Sequence, residues 1–226
     1  MNRGSALLVA SLVLVTVSAV HAQQPSSNPN LEVRSGSVKE IIKKGKARTL
    51  VVSTGGEDLS FPITPKIQLE IHFSGGSGAA LQPGAYIEGT GTQSHRNLIL
   101  DSAKIFLISS SVKTPPAQVK APAEKAVGQS VNLKVLTGQI MARQASTNFE
   151  GYQELGFRAA GDFPSVLFKD DLKVDVVSTQ VDDAEVGQKI VLELLPGRGN
   201  KSTLVRATIE GGTYTPKDAA EEKKDK

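Results

Sequence analysis

Two stretches of the chain repeat one phrase, and that repetition constrains the fold more than any other feature. LQPGAYIEGTGTQSHRNLILDSAKI runs from Leu81 to Ile105, and AEVGQKIVLELLPGRGNKSTLVRATI from Ala184 to Ile209. Each places a Gly before a short apolar run, then a polar Gly/Asn turn, then a Leu, an Ala and a final Ile. The copies align elsewhere too: Gly36 matches Gly138, Gly84 matches Gly187, Ala103 matches Ala207 and Ile105 matches Ile209, at offsets of 102 to 104 residues. A chain written twice in this way folds from two units of one design.

The units read as strands. In KIQLEIHF, Ile67, Leu69, Ile71 and Phe73 alternate with Gln68, Glu70 and His72, which turns one face to a core and the other to water. DLKVDVV repeats the alternation with Leu172, Val174 and Val176. Neither half carries an amphipathic helical period. The first strands share a further device. Apolar parity runs through Leu31 and Val33 and switches to Val38; it runs through Leu133 and Val135 and switches to Ile140. Both switches straddle a glycine, so a bulge or sharp coil is predicted there, as where a small barrel turns a corner.

The Gly-kinked strands (SGSV, TGQI) and the closing pattern L-x-x-A-x-I (Leu100, Ala103, Ile105; Leu204, Ala207, Ile209) resemble the OB-fold-like small barrels that recur, often in tandem, in exported bacterial proteins of unknown function. The resemblance covers most of the chain after residue 30. It implies an all-β fold of two tandem OB-like β-barrels, five to six strands each, at 31–110 and 131–214. SGGSGAALQPG departs from the pattern, because it offers no counterpart to the helix that many OB-folds place before strand four; a different small barrel or a sandwich stays open.

Between the units, residues 111–130 are rich in Pro, Ala and Lys and read as a semi-rigid linker. The start reads as a secretory signal over residues 1–22: Arg3, an apolar run from Ala6 to Val20, and small residues before a cleavage point after Ala22, with Ala19 the other choice. The run is short for a bilayer span, so no stable membrane span is expected after cleavage. Residues 23–30 form a flexible lead-in and 215–226 a charged, disordered tail. These segments predict a secreted or periplasmic protein. The chain has no Cys, which excludes disulfides, a thiol nucleophile and thiolate zinc sites, so the core or oligomerisation must hold the fold.

The formal charge of +3 is too mild to imply nucleic acid by itself. The sharpest cluster is KEIIKKGKAR, where Lys43, Lys44, Lys46 and Arg48 surround Gly45 at a hairpin. It is the candidate site for a polyanion: nucleic acid, an anionic polysaccharide or acidic lipid headgroups. OB-like barrels combine such charge with aromatic platforms, but Phe61, Phe73, Tyr86 and Phe106 read as core. LLPGRGNKS resembles a phosphate loop but continues as a strand, so it reads as a turn. Asn200-Lys201-Ser202 fits a glycosylation sequon. His72 and His95 fall in no metal or triad motif, so no metal and no cofactor is expected. Asp170-Asp171 and Asp182-Asp183 supply carboxylates for a glycan hydrolase, yet adjacent strand residues face opposite ways and make no dyad. The sequence therefore predicts an exported, non-enzymatic binding or scaffolding protein whose partner is a protein or polymer at the cell envelope. Polyanion binding and carboxylate hydrolysis are the alternatives.

Overall fold

In the computed structural model, residues 30–108, 112–123, 130–197 and 202–216 are described. The signal segment, nearly all of the lead-in, most of the tail and the Gly199–Lys201 turn lie outside them. The first half forms β1 (Glu32–Lys44), β2 (Ala47–Thr54), β3 (Glu57–Ile63), β4 (Gln68–Ser74), β5 (Tyr86–Ser94) and β6 (Asn97–Leu107). A short β7 (Gln118–Lys120) follows. The second half forms β8 (Leu133–Ala145), β9 (Gln153–Phe157), β10 (Ser165–Phe168), β11 (Val174–Ser178), β12 (Lys189–Pro196) and β13 (Ser202–Thr213). The fold is all-β, and the predicted alternation holds in β4, where Leu69 and Ile71 are buried while Gln68 is exposed. Where a helix might precede β5 or β12, each half has only a three-residue 3-10 turn, Gly78–Ala80 and Val181–Asp183.

The strands do not pair within their own halves as a tandem arrangement requires. All thirteen belong to one sheet: twelve follow the path β10-β9-β8-β5-β6-β11-β4-β13-β12-β1-β2-β3, and β7 pairs with β8 beside it. The β5–β6 hairpin of the first half lies against β8, with Ile87 opposite Gly138. The β12–β13 hairpin of the second half lies against β1, with Ile190 opposite Gly36. The halves have exchanged hairpins, and β4 and β11 meet antiparallel at the pseudo-twofold, His72 opposite Val177. The expectation of two barrels each folded from its own half is therefore corrected. The physical reason is degeneracy: repeated first strands and repeated hairpins offer the same edge to either partner.

Backbone hydrogen bonds fix the exchange identically on both sides. Gly84 N–H donates to the Ile140 carbonyl at 2.8 Å, and Ile140 N–H to Ala85 O at 2.9 Å. Gly187 N–H donates to Val38 O at 2.7 Å, and Val38 N–H to Gln188 O at 2.9 Å. Both glycines hold positive φ, +97° and +92°, a region that L side chains resist. The matched glycine is thus the turn that delivers each hairpin to the other half.

Two cores result, and each draws on both halves. One joins Leu81, Ile87, Leu98 and Ile105 to Leu136, Ile140, Val166 and Phe168; the other joins Val38, Leu50, Val52 and Ile71 to Ile190, Leu192, Leu204 and Ile209. Burying a side chain of this size contributes about 1.5–3 kcal/mol, so separating the halves would break both cores. Around the first core the pairing returns on itself, because β10 also pairs in parallel with β6, Val166 opposite Leu98. Around the second, no such pairing closes among the described residues. Position 62, which the repeat aligns with Leu167, is Pro, and β3 ends the sheet path. Proline has no N–H to donate and is confined to edge strands.

The predicted bulges are present, two to three residues past each glycine. The β1–β2 register shifts between Val38 and Glu40, and the β8–β9 register between Ile140 and Ala142. The glycines admit close neighbours instead. A Cβ on Gly36 would fall 2.3 Å from Ser53 O, and one on Gly138 would fall 2.5 Å from Ala117 Cβ. Ala117 belongs to the predicted linker, which is not a bare spacer: β7 pairs with β8, and Arg158 Nη2 donates to Thr114 O at 2.9 Å. Overpacking of this kind costs about 1–3 kcal/mol. Gly36→Ala and Gly138→Ala should each lower stability by that amount in a denaturant titration, and an unchanged midpoint would contradict the packing described.

Candidate functional site

The basic hairpin is formed, but it is not free. Lys43 and Lys44 end β1, Gly45 takes φ +58° at the tip beside Lys46, and Arg48 is the second residue of β2. Asp182, 134 residues further on in the 3-10 turn before β12, receives Arg48 through two bonds: Nε to Oδ1 at 2.7 Å and Nη2 to Oδ2 at 2.9 Å. Lys43 Nζ lies 3.2 Å from the same Oδ1. Arg48 Nη1 also donates to Gly45 O at 2.7 Å, which ties the guanidinium to its own turn. Two of the four cations thus fasten the first half to the second. Lys44 and Lys46 stay exposed, with no ion-pair partner among the described residues.

The acidic pairs are dispersed among separate partners. Asp170 accepts from Arg143 Nη2 at 2.9 Å, and Asp183 accepts from Ser178 Oγ at 2.6 Å. Asp171 is exposed in the β10–β11 turn. His72 Nε2 lies 3.0 Å from Glu70 Oε2, and His95 occupies the β5–β6 turn at φ +53°. Among the described residues no group of three or more His, Asp or Glu could hold a metal ion. No described helix is long and apolar enough to cross a membrane. Phe61 is buried, while Tyr86 and Phe106 are half-buried and pack on each other, ring centres 6.5 Å apart.

A groove that the sequence does not announce lies where a ladder breaks. Along β6, β10 pairs up to Leu167 opposite Ile99, and β11 resumes with Val174 opposite Ala103. Three residues of β6 therefore face six of the other segment, and the excess loops outward. On its other edge β6 carries a bulge at the same level, since Thr90 pairs with Ser102 but Gly91 with Leu100. A bulge re-aims the side chain of the extra residue, here Asp101. The resulting groove, about 410 Å³, is lined by Ile99, Leu100, Asp101, Tyr152, Lys169, Asp171, Leu172 and Lys173. Its floor is apolar and its rim charged. Thr92 Oγ1 donates to Asp101 Oδ2 at 3.2 Å, and Lys169 Nζ stands 5.4 Å from the centre of the Tyr152 ring. Asp171 was legible as one of an acidic pair; Asp101 is separated from it by 70 residues and becomes its neighbour only through the β6–β10 pairing.

The Asp182 clamp has a defined pH behaviour. The hydrogen bonds from the Arg48 guanidinium lower the Asp182 carboxyl most; burial opposes them, and Lys43 lowers it further, so that it stands below its ordinary 3.8. A depressed carboxyl contributes stability in full above the unfolded value, and the contribution is lost as pH falls through the folded one. Asp182→Asn should therefore be less stable than the parent at neutral pH, by a small amount because the pair is largely exposed. The difference should close only as pH is taken well below 3.8. A gap that persists in acid, or no gap at pH 7, would contradict the clamp.

No protein-family model, no curated protein and no solved structure matches the chain. What the groove takes must be argued from its own residues.

Proposed function

We propose that this chain is an exported, non-enzymatic binding module whose ligand site is the groove beside the broken β6 ladder. On this reading the strands around each core form a small OB-like barrel to which the other half lends its hairpin, closed around the first core and open at β3 around the second. The signal-like start supports export. The observation that carries the binding reading is asymmetry within the repeat. The register aligns Asp101 with Val205, Tyr152 with Ala47, Lys169 with Thr64, Asp171 with Lys66 and Lys173 with Gln68. A feature needed only to build the frame would recur at both positions. These five side chains do not recur, and they converge on one concavity with an apolar floor, the usual form of a small-ligand site.

The basic hairpin supports a binding role less well, because Asp182 already neutralises part of its charge. A protein-observed NMR screen with small uncharged and charged fragments tests the choice. Hits should shift the amides of Leu100, Asp101, Leu172 and Lys173. Hits confined to other surfaces, or none, would overturn the groove. Parallel chromatography on heparin should show early elution at low salt. Retention that falls with salt and is lost in a Lys44→Ala/Lys46→Ala variant would move the site to the hairpin.

A further inference from the structure

We infer that the groove receives a short peptide with both ends free, its ammonium held by Asp101 and Asp171 and its carboxylate by Lys169 and Lys173. This rests on the groove being the binding site. Two acids and two ammonium groups line one cavity, all four exposed, yet among the described residues none forms an ion pair with another. Their neighbour Asp170 is paired with Arg143 at 2.9 Å, so pairing is the local habit and these four depart from it. Among the described residues Asp101 has only the Thr92 hydroxyl, and Lys169 only the face of Tyr152.

Charge decides the ligand class. Two positive and two negative groups cancel, so the groove offers no net pull to a polyanion or a polycation. A ligand with one charge of each sign satisfies both sets at once. Ile99 and the edges of the buried Leu100 and Leu172 line the same groove as the charges, with the Tyr152 ring, and give an apolar side chain of the ligand something to contact. The volume of about 410 Å³ is at the small end for ligand pockets and suits a dipeptide or tripeptide rather than a polymer. Tyrosine at such a rim supplies contact area with little loss of freedom.

The test uses the full chain and Leu-Leu as probe, beside its N-acetylated form, its C-terminal amide, the doubly capped form and a neutral tetrasaccharide. Binding is followed by calorimetry and by the groove amides. The free dipeptide should bind best, and each cap should weaken binding about fivefold, the effect of one exposed charge pair. In Asp101→Asn/Asp171→Asn the penalty for acetylation should disappear while the penalty for the amide remains. In Lys169→Gln/Lys173→Gln the pattern should reverse. These cross-overs report pairwise coupling and do not follow from loss of fold. Equal binding of free and capped peptides, or binding of the tetrasaccharide alone, would overturn the peptide assignment and leave the groove as a site. No response of the groove amides to any of these probes or to the fragment screen would overturn both.

Discussion

The backbone bonds from Gly84 and Gly187 onto the first strand of the opposite half are what the rest of the molecule depends on. They carry each hairpin across the pseudo-twofold, so neither core closes without residues from both ends of the chain. The consequence is an unbroken run of pairing through β4 and β11, where independent barrels would have left a hinge. Cohesion without a single cysteine follows from the same arrangement. Each half is the complement of the other, and the Arg48–Asp182 contact adds a polar tie at their boundary.

The exchange preserves symmetry in the frame and leaves difference at the surface. Both first strands bulge at matched positions, and both hairpins enter through a glycine of positive φ. Pro62 and Leu167 then send the halves different ways. With leucine, β10 zips onto β6 and encloses its core; with proline, β3 stays at the edge. On the closed side the ladder cannot run evenly, because three residues face six, and the slack becomes the groove. The candidate site is in this sense a by-product of closure, populated afterwards by charged residues that the other half lacks.

Much of the frame was legible in the residues. Alternation in KIQLEIHF marked β4, the glycines flanking a parity switch marked bulged first strands, and the repeated phrase marked paired hairpins. What could not be read was which copy each hairpin joins, since equivalent edges carry equivalent patterns and pattern alone cannot break the tie. Lys43 and Arg48 were visible as cations, but their partner Asp182 is far away in sequence and reads there only as one of an acidic pair. Asp101 was hidden for a local reason. In DSAKI it reads as a solvated strand residue, and the bulge beside Leu100 is what sets it in the groove that Tyr152 and Lys169 also line. Residues 117–120 are hidden by their flanks, because Pro115, Pro116 and Pro122 mark the whole stretch as spacer, whereas the small Ala117 fits the space over Gly138 that any larger neighbour would deny.

The exchange of hairpins is the central claim, and the absence of native cysteine makes it directly measurable. Ser35 lies opposite Val191, and its repeat equivalent Thr137 lies opposite Glu88. Directly opposed antiparallel residues are about 4.5–5.5 Å apart at Cα, within reach of a disulfide. Under mild oxidation Ser35→Cys/Val191→Cys should close an intrachain bridge, read by mass and gel mobility, while Ser35→Cys/Glu88→Cys should stay reduced. Cross-linking of Ser35→Cys/Glu88→Cys in place of the first pair would show that each half keeps its own hairpin and would contradict the account.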